Sequence, residues 1–173
     1  MSVRRLLAPA AAALLAACQS IPADAPRAKA VLEPTRGSTV RGTADFVQVD
    51  GKVRVTASIS GLKPNGEYGF HIHEAGDCSS GDGMSAKGHF NPQGKPHAHA
   101  GTPERHAGDL PSLKSDASGN ARLEAEVDIV TVAPGPTSVV GRGLIVHAQP
   151  DDFKTQPTGN AGARSACAVI QKS

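Results

Sequence analysis

The sequence predicts an all-β domain, a flattened Greek-key barrel or sandwich of about eight short antiparallel strands with two long functional loops. Three observations carry that prediction. Large rings are scarce, with no Trp, one Tyr and four Phe in 173 residues, so the core must be built from Val, Ile, Leu and Ala. Turn formers are plentiful, at 19 Gly and 13 Pro, and apolar runs cut by such turns favour strands over long helices. After the first twenty residues no stretch sustains a 3.6-residue apolar period, whereas two-residue alternation recurs. The length suits one domain that buries its own core.

Taken in order, the chain opens with a leader. MSVRRLLAPAAAALLAACQS places Arg4 and Arg5 before an apolar stretch from Leu6 to Ala17, followed by Cys18, which is the layout of a secretory signal. That stretch is shorter than the roughly 20 apolar residues a bilayer-spanning helix needs. Leu15-Ala16-Ala17-Cys18 resembles the bacterial lipoprotein processing box, in which Cys18 is lipidated and becomes the new N-terminus. The alternative is cleavage at a nearby A-x-A-like site, leaving Cys18 a stray thiol. Residues 1–17 are read as signal peptide, 18–28 as lipidated cysteine and tether, and 29–173 as the folded domain. The tether sequence QSIPADAPRA is small and Pro-rich, as a spacer should be. Gln19 is not the aspartate associated with inner-membrane retention, so an outer-membrane lipoprotein on the periplasmic side of the envelope is expected.

From Thr43 to Ser60 the pattern is a hairpin. Val47 and Val49, then Val53, Val55, Ala57 and Ile59, alternate with polar residues around the turn pair Asp50-Gly51. After Ser118-Gly119-Asn120, residues Ala121, Leu123, Ala125 and Val127 alternate with Arg122, Glu124, Glu126 and Asp128, giving one buried and one solvated face. Gly141 to His147 and Cys167 to Ile170 read as further strands, leaving residues 74–114 and 148–163 as the long loops. Loops of that length in a compact domain usually serve function or are disordered.

The formal charge of +2 includes Arg4 and Arg5 of the leader, and without those two the chain is formally neutral. No polybasic run or set of stacking aromatics points to nucleic acid. An odd count of three cysteines is explained if Cys18 carries lipid. Cys78 and Cys167 then remain as a pair for an oxidising compartment, with two unrelated buried thiols as the alternative.

Six of the seven histidines lie between Gly69 and Asp109. In Phe70-His71-Ile72-His73 the two histidines project from one side of a strand, about 7 Å apart along the backbone, while Phe70 and Ile72 face the core. His89, His97, His106 and Asp109 follow at separations of 8, 9 and 3 on turn-rich backbone. Two or three imidazoles with a carboxylate suit zinc, and an all-nitrogen set with an open position suits copper. Six histidines could serve both.

The segments GFHIHE, GHFNP, ERHAGDL, GRGLIVHAQPDD and GNAGARSACAVI, in that order over about residues 28–170, resemble the copper/zinc superoxide dismutase family in its bacterial exported form. The resemblance implies one copper and one zinc per chain. His71, His73 and His147 match copper ligands, His89 the bridging imidazole, and His97, His106 and Asp109 the rest of the zinc set. Asp151 matches the carboxylate that hydrogen-bonds a ligand on each metal. Arg164 matches the arginine beside the open copper position, and Cys78 and Cys167 match the family disulfide. The implied activity is disproportionation of superoxide to dioxygen and hydrogen peroxide, with Arg164 guiding the anion and His89 supplying a proton as its imidazole leaves copper. The loop DDFKTQPTGNAGAR is shorter than the family's usual charged loop. Lys154 within it is a candidate for steering. His99 has no family counterpart and could become an adventitious extra ligand. A monomer and a homodimer are both compatible with the sequence, and the expected partners are superoxide and, through Cys18, a membrane.

Overall fold

The computed structural model describes residues 21–173; the leader and Cys18 lie outside the described residues. Its strands are β1 (Arg27–Pro34), β2 (Arg41–Val49), β3 (Lys52–Ser60), β4 (Glu67–Tyr68), β5 (Phe70–His73), β6 (Leu113–Lys114), β7 (Ala121–Val127), β8 (Gly143–His147), β9 (Arg164–Val169) and β10 (Gln171–Lys172). Helix among the described residues is confined to the 3-10 turn Met84–Ala86. One antiparallel sheet runs in the order β5-β8-β9-β1-β2-β3-β7, with β10 also on β1, and β4 pairs β6 apart from it. The sheet curls around a core that includes Leu32, Phe46, Val55, Phe70, Ile72, Leu113, Leu144 and Val146. The all-β class read from composition and alternation is the observed one.

The hairpin of β2 and β3 turns where expected. Asp50 and Gly51 have φ of 51° and 77°, the left-handed pair that a two-residue turn needs to match strand twist. That tight turn sets Val49 opposite Lys52, and also Phe46 opposite Val55 and Ala44 opposite Ala57. Cross-strand partners share a face, so Val49 and Val47 sit half-buried on the outer face and Ala44 and Phe46 fill the core. The alternation of Val47 and Val49 therefore has the opposite phase from the core face of β3. Gln48 falls on the inner face instead, where its Oε1 accepts from the Val132 and Ala133 amides at 2.9 and 3.0 Å.

The starts of three strands also differ from the sequence reading. β1 begins at Arg27, taking up the last two residues of the stretch read as tether. Its buried Ala28, Ala30 and Leu32 alternate with Lys29, Val31 and Glu33. β9 begins at Arg164 rather than Cys167, because pairing with β8 continues through His147 opposite Arg164, past a register shift at Val146/His147. Likewise β8 starts at Gly143, two residues after Gly141.

The placement of β5 and β8 matters most for function. Phe70 pairs Val146 and Ile72 pairs Leu144 on the core side, while His71 pairs Ile145 and His73 pairs Gly143 on the other. Every residue of both strands is buried. The outer face is covered by the loop that follows His73, and there Ala86, Ile145 and Cys167 form a second apolar cluster flanked by Cys78.

Candidate metal centre

Two-residue periodicity puts His71, His73 and, from the neighbouring strand, His147 on the same covered face of the sheet. The loop after β5 returns His89 to this face through a bridge to His73, and Asp109 through a bridge to His71. Two buried groups of four result. His71, His73, His89 and His147 bring one donor atom each within 4.8 Å of one another, and so do His89, His97, His106 and Asp109. His89 belongs to both groups.

Hydrogen bonds fix which ring nitrogen each histidine offers. His71 Nε2 lies 2.7 Å from Asp151 Oδ2, leaving Nδ1 buried without a partner. His73 Nδ1 donates to the Lys87 carbonyl at 2.9 Å and His147 Nδ1 to the Gly162 carbonyl at 3.4 Å. Their Nε2 lone pairs then face each other at 3.4 Å. His89 Nε2 is likewise buried and unpartnered. Lone pairs converging in a dry site repel unless a cation lies among them, so this all-nitrogen set fits copper.

In the other group, Asp109 Oδ1 lies 2.9 Å from His89 Nδ1, 3.0 Å from His97 Nδ1 and 3.5 Å from His106 Nδ1. Four donors on a tetrahedral zinc would sit about 3.3 Å apart for bonds of about 2.05 Å, so the spacing fits that ion. Asp109 Oδ2 accepts from the Ala98 and His106 amides, both at 3.1 Å, which orients the carboxylate. Asp151 joins the groups from outside, with Oδ2 on His71 and Oδ1 2.9 Å from His97 Nε2. A carboxylate on the far nitrogen of a ligand fixes its tautomer and its angle.

The electrostatics follow from burial and these contacts. Burial pushes His71, His73 and His147 below the ordinary imidazole range, and neighbouring imidazoles add to the effect. His89 is lowered to about 4, mainly by burial. Burial alone would lower His97 too, but its bonds to Asp109 and Asp151 raise it to about 9. For Asp109 and Asp151 burial is outweighed by imidazole donors, and both carboxyls are held well below the usual range. The copper-type group is thus made of neutral rings ready to bind a cation, and the zinc-type group of one anion among imidazoles.

Arg164 stands across from His147 at the start of β9. Its guanidinium donates to the Gly83 and Lys87 carbonyls, and its own carbonyl accepts from Thr35 Oγ1 at 2.6 Å. The Lys87 carbonyl therefore holds both Arg164 and His73. The loop that carries it is tied to β9 by the Cys78–Cys167 disulfide, with Cα atoms 5.9 Å apart.

The family model for copper/zinc superoxide dismutase (SODC) matches residues 40–170. The chain belongs to the copper/zinc superoxide dismutase family. It is 40% identical over 149 residues to superoxide dismutase [Cu-Zn] 2 of Aquifex aeolicus, covering 84% of this chain and 86% of that protein. Superoxide dismutase [Cu-Zn] of Paramecium bursaria Chlorella virus 1 is 42% identical over 137 residues, or 76% of this chain and 72% of that protein. Among solved structures, the clock protein EA4 superposes with a TM-score of 0.76 at 44% identity, covering 84% of this chain and 93% of that one.

For this superoxide dismutase, all seven ligand candidates read from the sequence fall into the two groups; Asp151 bonds a ring in each, Arg164 shares the Lys87 carbonyl with His73, and the cysteine pair is joined as a disulfide. His99 does not. It is exposed, its Nδ1 accepts from the Gly101 amide at 3.0 Å, and its ring centroid lies 4.8 Å from that of Phe153. Lys154 is exposed, with its amide on Asp152. The groups missed from sequence are the Gly83 and Lys87 carbonyls, since main-chain atoms leave no mark in residue type. Lys87 adopts φ 63°, ψ −147°, a region nearly reserved for Gly, and its being Lys hides the turn that aims its carbonyl.

Proposed function

We propose that His71, His73, His89 and His147 hold copper and that His89, His97, His106 and Asp109 hold zinc, in an enzyme that removes superoxide outside the cytoplasm. The reading is carried by one observation: two buried four-donor groups share His89, with one ring nitrogen turned to each. Copper, when bound, supplies the alternating one-electron chemistry by which two superoxide anions and two protons become dioxygen and hydrogen peroxide.

The chain's own residues account for the rest. Arg164 presents a permanent positive charge on a guanidinium pinned by two carbonyls, so a small anion meets a fixed donor rather than a flexible one. His89 Nε2 faces the copper group with no other partner; it is the atom at which a proton can be held and handed to the reduced product. His89 Nδ1, against Asp109, keeps the ring from turning as that happens. Asp151 holds His71 and His97 at fixed angles, limiting reorganisation. Four protein donors close the zinc-type group, which argues against a zinc hydrolase, since that needs a water on the metal.

The disulfide supports an oxidising compartment. With the leader and Cys18, the reading is a signal peptide at 1–17, a lipidated cysteine and tether at 18–28 and an enzyme domain at 29–173, facing the periplasm from the outer membrane and protecting the envelope. Among the described residues Val31 and Met84 are the exposed large hydrophobics, so little apolar surface asks for a partner, and a monomer or small-interface homodimer fits. The test combines copper and zinc per chain with superoxide consumption, in wild type and in His147→Ala. Loss of copper and turnover with zinc retained is expected; a variant that keeps full copper and turnover refutes the ligand set. Labelling with radioactive palmitate, abolished by Cys18→Ala, checks the anchor.

A further inference from the structure

We propose that Gln156 is a positioning residue for zinc: its side-chain amide clamps the main chain of His97 and so couples the second loop to the metal. The inference rests on reading His97 as a zinc ligand. Gln156 Oε1 accepts from the His97 amide at 2.8 Å, and its Nε2 donates to the His97 carbonyl at 2.8 Å. An amide matched to both main-chain groups of one residue makes a closed two-point contact, equivalent to one rung of a β-ladder. Such a contact fixes the orientation of a peptide as well as its place.

The need for it lies in the local structure. His71 and His73 are held by the β5–β8 ladder, but His97 lies outside every strand and helix. The second loop substitutes for a ladder and grips His97 from two ends. Asp151 takes the ring, with Oδ1 2.9 Å from Nε2, and Gln156, five residues on, takes the backbone. Gly159 closes the space behind. A Cβ there would fall 1.8 Å from Asp151 Oδ1 and 2.5 Å from His97 Nε2, so the loop packs onto this bond as closely as glycine permits and keeps water off it. On the outer side the Phe153 ring meets His99 edge to face at 4.8 Å and 69°, which gives the histidine left over from the ligand sets a place in the same seam.

Loss of a group that orients a ligand lowers metal affinity roughly 10- to 100-fold. In the full chain, Gln156→Ala and Gln156→Glu are each expected to weaken zinc by that factor in chelator competition, with a smaller loss of urea stability in the zinc-free protein than in the zinc-loaded one. Gln156→Glu has the same length and volume but turns a second acceptor toward the His97 carbonyl. A role in packing alone would leave it like wild type. Wild-type zinc affinity in Gln156→Glu, or equal losses of stability with and without zinc, overturns the proposal. His97→Ala separates the two levels of inference: zinc retained at full affinity there removes the ligand assignment itself. Zinc lost there but undisturbed in both Gln156 variants removes only the clamp.

Discussion

Replacing Cys78 and Cys167 together with alanine tests how the fold is tied to the arginine. The bridge spans 89 residues of sequence, and the chain-entropy relation gives about 4.6 kcal/mol at 25 °C for closing a loop of that length. That is a large fraction of the 5–15 kcal/mol that a domain usually has. The local consequence is as important as the global one. Cys78 anchors the loop whose Gly83 and Lys87 carbonyls hold the Arg164 guanidinium, and Cys167 lies three residues beyond Arg164 on β9. Freed from β9, that loop keeps its carbonyls near Arg164 only through the remaining contacts. The assay is urea unfolding of the metal-free protein, so that metal affinity does not mask the change, alongside kcat/KM for superoxide at matched copper content. A stability loss of about 3–5 kcal/mol with a lowered kcat/KM is expected. A loss under about 1 kcal/mol, or undiminished kcat/KM, would refute the reasoning.

Arg164→Ala should keep both metals and lower kcat/KM roughly 10- to 100-fold, the effect of removing a unit charge about 5 Å from an anion at effective dielectric constants between those of a protein surface and water; unchanged turnover at equal copper would remove its role. Asp151→Ala should weaken both metals about 10- to 100-fold in equilibrium dialysis, because it frees a ring in each group. The pH dependence of the metal-free protein has two limbs. His71, His73, His89 and His147 are lowered by burial, so the unfolded chain binds protons first and stability falls as pH drops from about 6.5 toward 4. His97, raised to about 9, contributes stability below about 6.5 that is lost as pH rises through 9. Urea unfolding from pH 4 to 9 should show both limbs, and His97→Gln should flatten the alkaline one; a wild-type protein with no alkaline limb contradicts the assignment.

Much of this architecture was legible in the residues because side-chain type reported it. Asp50-Gly51 marks a turn only a few residue pairs can make, and Val53, Val55, Ala57 and Ile59 mark the face that follows. The histidines stood out because burying so many titratable rings in so short a span is costly without a shared purpose. What stayed hidden is of another kind. The phase of β2 depends on pairing across the hairpin, and Phe46 rather than the neighbouring valines went inward once Val49 was set against Lys52. β1 escaped notice because its inward residues are mostly alanines and Val31 points outward, 55% exposed. Arg164 opens β9 through a backbone register that its polarity conceals. The Lys87 carbonyl accepts from the His73 ring and the Arg164 guanidinium, and the Gln156 amide grips the His97 main chain; each contact has a main-chain group on one side, so no residue pattern encodes it.

The sharing of His89 is tested most directly by anomalous diffraction at the copper and zinc absorption edges from one crystal of the fully loaded enzyme kept in its oxidised, Cu(II) state. Copper is expected about 2.0–2.2 Å from His71 Nδ1 and from Nε2 of His73, His89 and His147, with zinc at a similar distance from Nδ1 of His89, His97 and His106 and from Asp109. A His89 ring in contact with one metal alone, or copper bound away from His147, would contradict it.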